Sequence, residues 1–275
     1  MGDKTEFSRQ DTLRGSITKE RSWWDLNRYH LDISVKPEEK FISGYNKISY
    51  TVLKSHDLMQ IDLQAPLILT KATQDNSELE IIHDGNAHFI KLEKKQNVGS
   101  KEELVVYYEG NPRVAVRAPW DGGISWEKDK NGNHFIASSC QGLGASVWWP
   151  NKDHGYDEPD QGMSIQITVP EDLVAVSNGR LKEKLHDPKK QTRTYLWEVT
   201  NPINNYGVNM NIGNYVNFSE TFAGEGGDLD VDYWVLDHQR ETAKEHFKEA
   251  PRTLQAFEHW FGQYPFYEDS YKLVV

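Results

Sequence analysis

The chain has 275 residues, of which 37% are hydrophobic, 12% aromatic and 27% charged. This composition is typical of a globular protein, because disordered segments are poorer in aromatics and a membrane-spanning helix needs about 20 consecutive apolar residues. The formal net charge of -11 opposes broad contact with nucleic acid or with anionic lipid surfaces.

Residues 1–22 are polar and aperiodic, which predicts a tail that is disordered or lies along the surface. They contain neither the apolar stretch nor the cleavage site of a signal peptide. From residue 23 onward, apolar and polar residues alternate. Leu31, Ile33 and Val35 are followed by turn residues at 37–40 and by a second alternating run over 48–52. This pattern predicts a β-hairpin.

Further alternating runs are separated by turn residues such as those at 84–86 and 178–179. They predict strands over residues 59–63, 104–108, 165–169, 174–176, 195–199, 208–212 and 229–233. Many short strands with turns between them indicate a sandwich or an open barrel.

The period changes near Asp237, where apolar residues take helical spacing over 243–250 and again over 254–261. Pro251 suits the first turn of the second helix, and Gly262 suits its end. An apolar strand then begins at Tyr271, and the printed sequence stops inside it. We therefore expect a truncated sequence with a polar tail (1–22), a β-rich domain (23–236) and the start of a further domain (237–275).

Motifs for metal or nucleophilic chemistry are missing from the sequence. No HExxH places two histidines on one helix face, and there is no GxSxG, GxGxxG or Walker motif. The single cysteine, Cys140, excludes an internal disulfide and a cysteine-based zinc cluster, and is most simply a small buried apolar residue. His154, in a loop with Asp157 and Glu158, is best interpreted as a hydrogen-bonded loop residue.

Two tryptophan pairs, Trp23–Trp24 and Trp148–Trp149, allow two interpretations. They could form an exposed platform on which sugar rings stack, or they could fill the space between sheets or between domains. Large aromatics in a β-rich chain favour the second interpretation.

Four segments, in this order along the chain, resemble the M1 (gluzincin) family of zinc aminopeptidases. They are the hairpin over residues 29–52, SSCQGLGASVWWP over 138–150, VPEDLVAVSNG over 169–179, and YPFY over 264–267. The second segment resembles the strand and loop by which the amino-terminal domain of that family reaches into the active site.

The resemblance implies a mainly β fold, a saddle-like multi-stranded β-sandwich, followed by a short helical segment and one strand of a truncated thermolysin-like domain. It also implies that a GxMEN strand and an HExxH zinc site lie beyond Val275 in a longer parent, which cleaves amino-terminal residues from peptides. The chain itself would hold no cofactor, no catalytic residue and no metal ligand, and we expect it to be inactive.

The same resemblance implies substrate-binding residues in this chain. Gln141 matches the position that family members fill with Gln or Glu, and an amide there can accept from a substrate ammonium and donate to a carbonyl. Gly142 and Ala145 would border the pocket for the first side chain. Ser139 stands where relatives often have Gln, and we include it in the predicted site.

A second function stays open at this point, namely a complete non-catalytic β-sandwich module that binds carbohydrate or protein through a tryptophan-rich surface. The gene sequence past Val275 discriminates between the two. Oligomeric state and substrate preference do not follow from the sequence. Because relatives of this type are often exported, we expect a periplasmic or cell-surface location with the signal peptide removed.

Overall fold

The computed structural model describes residues 6–275, so residues 1–5 of the predicted tail lie outside the described part. The helices are α1 (Arg9–Gly15), α2 (Lys19–Ser22), α3 (Arg240–His246) and α4 (Glu249–Phe261). The strands are β1 (Trp24–Lys36), β2 (Phe41–Val52), β3 (Leu58–Asp62), β4 (Ile68–Gln74), β5 (Ser77–Asp84), β6 (Ala87–Lys91), β7 (Lys101–Gly110), β8 (Gly123–Lys128), β9 (His134–Ser139), β10 (Met163–Pro170), β11 (Val174–Val176), β12 (Arg180–Asp187), β13 (Thr192–Val199), β14 (Asn211–Gly213), β15 (Tyr215–Gly224), β16 (Gly227–Leu236) and β17 (Tyr271–Val274).

The strands form three sheets, which confirms the predicted mainly β fold. The largest has the order β12-β13-β10-β1-β2-β7-β4-β5-β6-β3. A second has the order β11-β14-β9-β8, and the third the order β15-β16-β17. The predicted hairpin is present as the antiparallel pair β1–β2, while β1 pairs with β10 in parallel on its other side.

One core lies between the two larger sheets. Leu31 and Ile33 of the first sheet and Ile136 and Ile212 of the second are all fully buried in the same hydrophobic cluster. Strands that bury one face show alternating apolar residues, which is why the sequence predicts them.

The tryptophan pairs are part of this core. Trp23, Trp24, Trp148 and Trp149 are each at most 1% exposed. The indole of Trp23 donates to the Leu58 carbonyl at 2.8 Å. The sugar-binding platform is therefore wrong for these four side chains, and the module that would have bound through them loses its main support.

The part of the predicted tail that the structure describes is helical. Ser8 caps α1 in a capping box with Asp11. Leu13 is buried against Ala87 and Phe89 of β6. Both helices are too short to show a clear apolar period, so the sequence pattern did not predict them.

A second, smaller core lies beside the third sheet. It includes Leu229 and Val231 of β16 together with Ala250 and Leu254 of α4. Strands β15 and β16, which the sequence places in the β-rich domain, thus share a core with residues after Asp237. The boundary between residues 236 and 237 stays a prediction. None of the helices described over residues 6–275 is long and apolar enough to cross a membrane.

We expect residues 237–275 to be less protected from hydrogen exchange than the strands of the large sheet. On α4, Phe257, Trp260 and Phe261 are 58%, 75% and 83% exposed, so much of its apolar surface is uncovered. Hydrogen exchange followed by mass spectrometry measures the difference. Protection of α4 equal to that of β1 and β2 would contradict the expectation.

Candidate functional site

The loop that carries the predicted site follows β9 directly. The amides of Leu143 and Gly144 donate to the Cys140 carbonyl at 3.2 and 2.8 Å, which closes a tight turn around Gln141 and Gly142. Gly142 has a φ of 71° and Gly144 a φ of 83°. A Cβ on Gly144 would lie 2.4 Å from Asp153 Oδ2, so only glycine fits there.

Gln141 lies at the tip of this turn with its side chain exposed. Within the described chain its side-chain amide forms no hydrogen bond, so both its donor and its acceptor are available to a ligand. The turn borders a surface hollow of about 440 Å³, whose lining residues are Arg14, Pro119, Ser139, Cys140, Gln141, Gly142, Gly144 and Tyr206.

The structure brings three of the four predicted site residues together. Ser139, Gln141 and Gly142 line the hollow, whereas Ala145 is fully buried and lies outside it. The Ser139 hydroxyl donates to the Pro119 carbonyl at 3.0 Å. Ser139 therefore connects β9 to the neighbouring loop, and its hydroxyl is already engaged there.

Cys140 is partly buried beside Gln141. Burial raises the pKa of its thiol to about 11. The thiol is therefore protonated at neutral pH and is a poor nucleophile, in line with its interpretation as an apolar residue. His154 lies in its loop with Nε2 3.3 Å from the Gly15 carbonyl.

Asp153 holds the far side of the loop. Its carboxylate accepts from the Ser146 amide at 3.1 Å and from the Ser146 hydroxyl at 2.6 Å. Its own amide donates to the Asp62 carboxylate at 3.1 Å. The segment after Gln141 is thus tied to β3.

Asp62 in turn pairs with Arg21 of α2 at 2.6 Å, with the Arg21 side chain 0% exposed and that of Asp62 7% exposed. Burial raises the pKa of Asp62, and the Arg21 guanidinium opposes that rise. Arg21 also donates to the carbonyls of Arg14 and Ser16 at 3.0 and 2.8 Å. Arg21 could not be predicted from the sequence, because a charged residue in a polar segment gives no sign of burial.

Lys152 is a second buried cation near the site. Its ammonium donates to the Trp24 carbonyl at 2.8 Å, lies 3.8 Å from the Trp24 ring centre and pairs with Asp157. Burial lowers the pKa of Lys152 to about 8, and Asp157 opposes this effect. These contacts give Lys152 and Asp157 a role in packing.

Among residues 6–275, no three His, Cys, Asp or Glu side chains are grouped so that they could hold a metal ion. The residues that the structure describes therefore do not fit a zinc site.

Comparison with protein families gives one match, to the Peptidase M1 N-terminal domain, over residues 26–206. No curated protein sequence matches the chain.

Solved structures of M1 zinc metallopeptidases are similar to the chain. A variant enzyme from Deinococcus radiodurans matches with a TM-score of 0.76 and 17% identity, over 92% of this chain and 57% of that one. A variant bound to a Tyr-Ser-Ala substrate matches with a TM-score of 0.75 and 17% identity, over the same shares. The unmodified enzyme matches with a TM-score of 0.75 and 16% identity, over 92% and 56%. At this identity the likeness shows the fold, and the chain spans little more than half of these relatives.

Proposed function

Because the chain belongs to the M1 peptidase family through its amino-terminal domain, we propose that it is part of a zinc-dependent aminopeptidase. This enzyme would remove amino-terminal residues from peptides, and the present chain would form one wall of the substrate pocket. The proposal is carried by the exposed amide of Gln141, which a glycine-rich turn presents at the rim of a hollow.

The geometry of the turn suits recognition of a peptide amino terminus. The side-chain oxygen of Gln141 can accept a hydrogen bond from the substrate ammonium, while its side-chain NH₂ group can donate to a peptide carbonyl. Neither contact requires a second charge in the pocket. The positive φ of Gly142 favours glycine at this position, and because glycine has no side chain, a ligand can approach the backbone closely.

The zinc that the family uses has no ligand set among residues 6–275. What the chain supplies is binding and orientation, which count in catalysis because they hold the scissile bond in position.

The proposal is tested with the longer protein that the gene encodes when it is read past Val275. We expect that protein to hydrolyse an amino-acid anilide and to leave the N-acetylated anilide intact, since the free amine is what the pocket binds. Loss of activity with a chelator and recovery with zinc complete the test. Equal cleavage of the acetylated compound, or a reading frame without HExxH, would refute the proposal.

For the 275-residue chain by itself we expect no stoichiometric zinc and no anilide hydrolysis, because its sequence lacks the HExxH motif that supplies two zinc ligands and the general base. Elemental analysis after dialysis measures the metal, and the longer protein is the positive control. One equivalent of tightly held zinc in the isolated chain would contradict this expectation.

A further inference from the structure

The amino-terminal helix α1 contacts the loop that presents Gln141. The Arg14 guanidinium donates to the Gly142 carbonyl at 2.9 Å, although the two residues lie 128 positions apart in sequence. Arg14 also lines the same hollow as Gln141. The contact therefore acts on the residue that follows Gln141, at the position where the turn takes a positive φ.

Helix α1 is itself fixed on the β domain. Leu13 is buried, and the Gln60 side chain donates to its carbonyl at 3.1 Å. The Gln10 side chain donates to the Asp84 carbonyl at 2.9 Å and accepts from the Asn86 amide at 3.0 Å. The helix that carries Arg14 is therefore held in place on the β domain.

A second, buried connection reaches the other end of the loop. Arg21 holds the carbonyls of Arg14 and Ser16 and pairs with Asp62, which accepts from the Asp153 amide. Asp153 then accepts from Ser146. The same helical segment therefore holds the loop from both sides, directly through Arg14 and indirectly through Arg21.

We propose that the segment 8–22 is a positioning element of the substrate hollow, in which Arg14 fixes the loop that presents Gln141. The expected effect on catalysis rests on the proposed function. The expected effect on the loop is independent of that function, because the Arg14 contact lies within the chain. Arg14 acts through the loop and is a positioning residue.

The structural part is tested by hydrogen exchange in the 275-residue chain. With Arg14→Ala we expect the amides of Leu143 and Gly144 to exchange about 2- to 12-fold faster, the range that corresponds to the loss of one ordinary hydrogen bond. The melting temperature should stay near the starting value, because Arg14 is exposed.

Arg9→Ala is the matched control. It removes a guanidinium from the same helix, but one that pairs with Asp84 on the surface. We expect normal exchange in the loop for this variant. Unchanged exchange of the loop in Arg14→Ala, or equal acceleration in both variants, would overturn the proposal.

The catalytic part is tested in the longer enzyme with Arg14→Ala, Arg14→Lys, Gln141→Ala and the double variant. We expect Arg14→Ala to lower kcat/KM about 2- to 12-fold, Arg14→Lys to recover part of that loss, and Arg14→Ala to add little once Gln141 is alanine. If the losses of kcat/KM from Arg14→Ala and Gln141→Ala multiply fully in the double variant, Arg14 does not act through Gln141 and its positioning role is overturned. If Gln141→Ala alone is silent, the proposed substrate contact of Gln141 is wrong and the catalytic part of the inference falls with it, while the exchange experiment still decides whether Arg14 fixes the loop.

Discussion

Replacing Asp62 with alanine is expected to lower the free energy of unfolding by about 3 to 5 kcal/mol, because it leaves the buried guanidinium of Arg21 without its counter-charge. The same change removes the acceptor for two hydrogen bonds, from the side-chain amide of Gln60 at 2.8 Å and from the backbone amide of Asp153 at 3.1 Å. Buried donors without partners carry their full desolvation cost, so these losses act in the same direction.

Urea unfolding of the 275-residue chain measures this effect, and the melting temperature should fall by roughly 6 to 20 °C. Glu78→Ala is the control, since it breaks an exposed pair with Lys71 at 3.7 Å and should cost less than about 1 kcal/mol. A loss of that small size for Asp62→Ala would show that water reaches Arg21.

The paired replacement Arg21→Met with Asp62→Leu separates the cost of an orphaned charge from the value of the ion pair. Apolar side chains of similar volume often replace a buried pair at little cost, so we expect the double variant to be more stable than Asp62→Ala. If the double variant is as unstable as Asp62→Ala, then most of the lost free energy of unfolding comes from the hydrogen bonds that Arg21 and Asp62 make to their neighbours.

The strands of the main core could be predicted from the sequence because each buries one face. Ile165, Ile167 and Val169 alternate with polar residues, and the structure places them in β10 with all three fully buried. Strands with little burial gave no such signal. In β12 every side chain is intermediate or exposed, so its sequence shows no apolar alternation that would predict a strand.

The candidate site could be predicted only in part. Gln141 was found because its segment resembles a known family, and no local property of the residue marks it. Arg14 could not be found, since its contact with Gly142 joins distant parts of the chain. The tryptophan pairs were ambiguous because the same residues suit a buried core and an exposed platform, and only their burial decides between the two.

Gln141→Ala, made in the longer enzyme, is expected to lower kcat/KM by about 5- to 150-fold, which corresponds to an interaction worth ~1 to 3 kcal/mol. The melting temperature should barely change, because the side chain is exposed and forms no hydrogen bond within residues 6–275. An effect on activity without an effect on stability is what a substrate contact predicts.

Two further variants show which property of Gln141 matters. Gln141→Glu keeps an acceptor for the substrate ammonium and should retain more activity than Gln141→Ala. Ser139→Ala should cost much less, since the Ser139 hydroxyl already donates to the Pro119 carbonyl at 3.0 Å. The measurement compares kcat/KM on an amino-acid anilide with the melting temperature of each variant. If Gln141→Ala keeps full activity, or loses it only in step with stability, then Gln141 does not bind the substrate and the substrate contact must lie elsewhere.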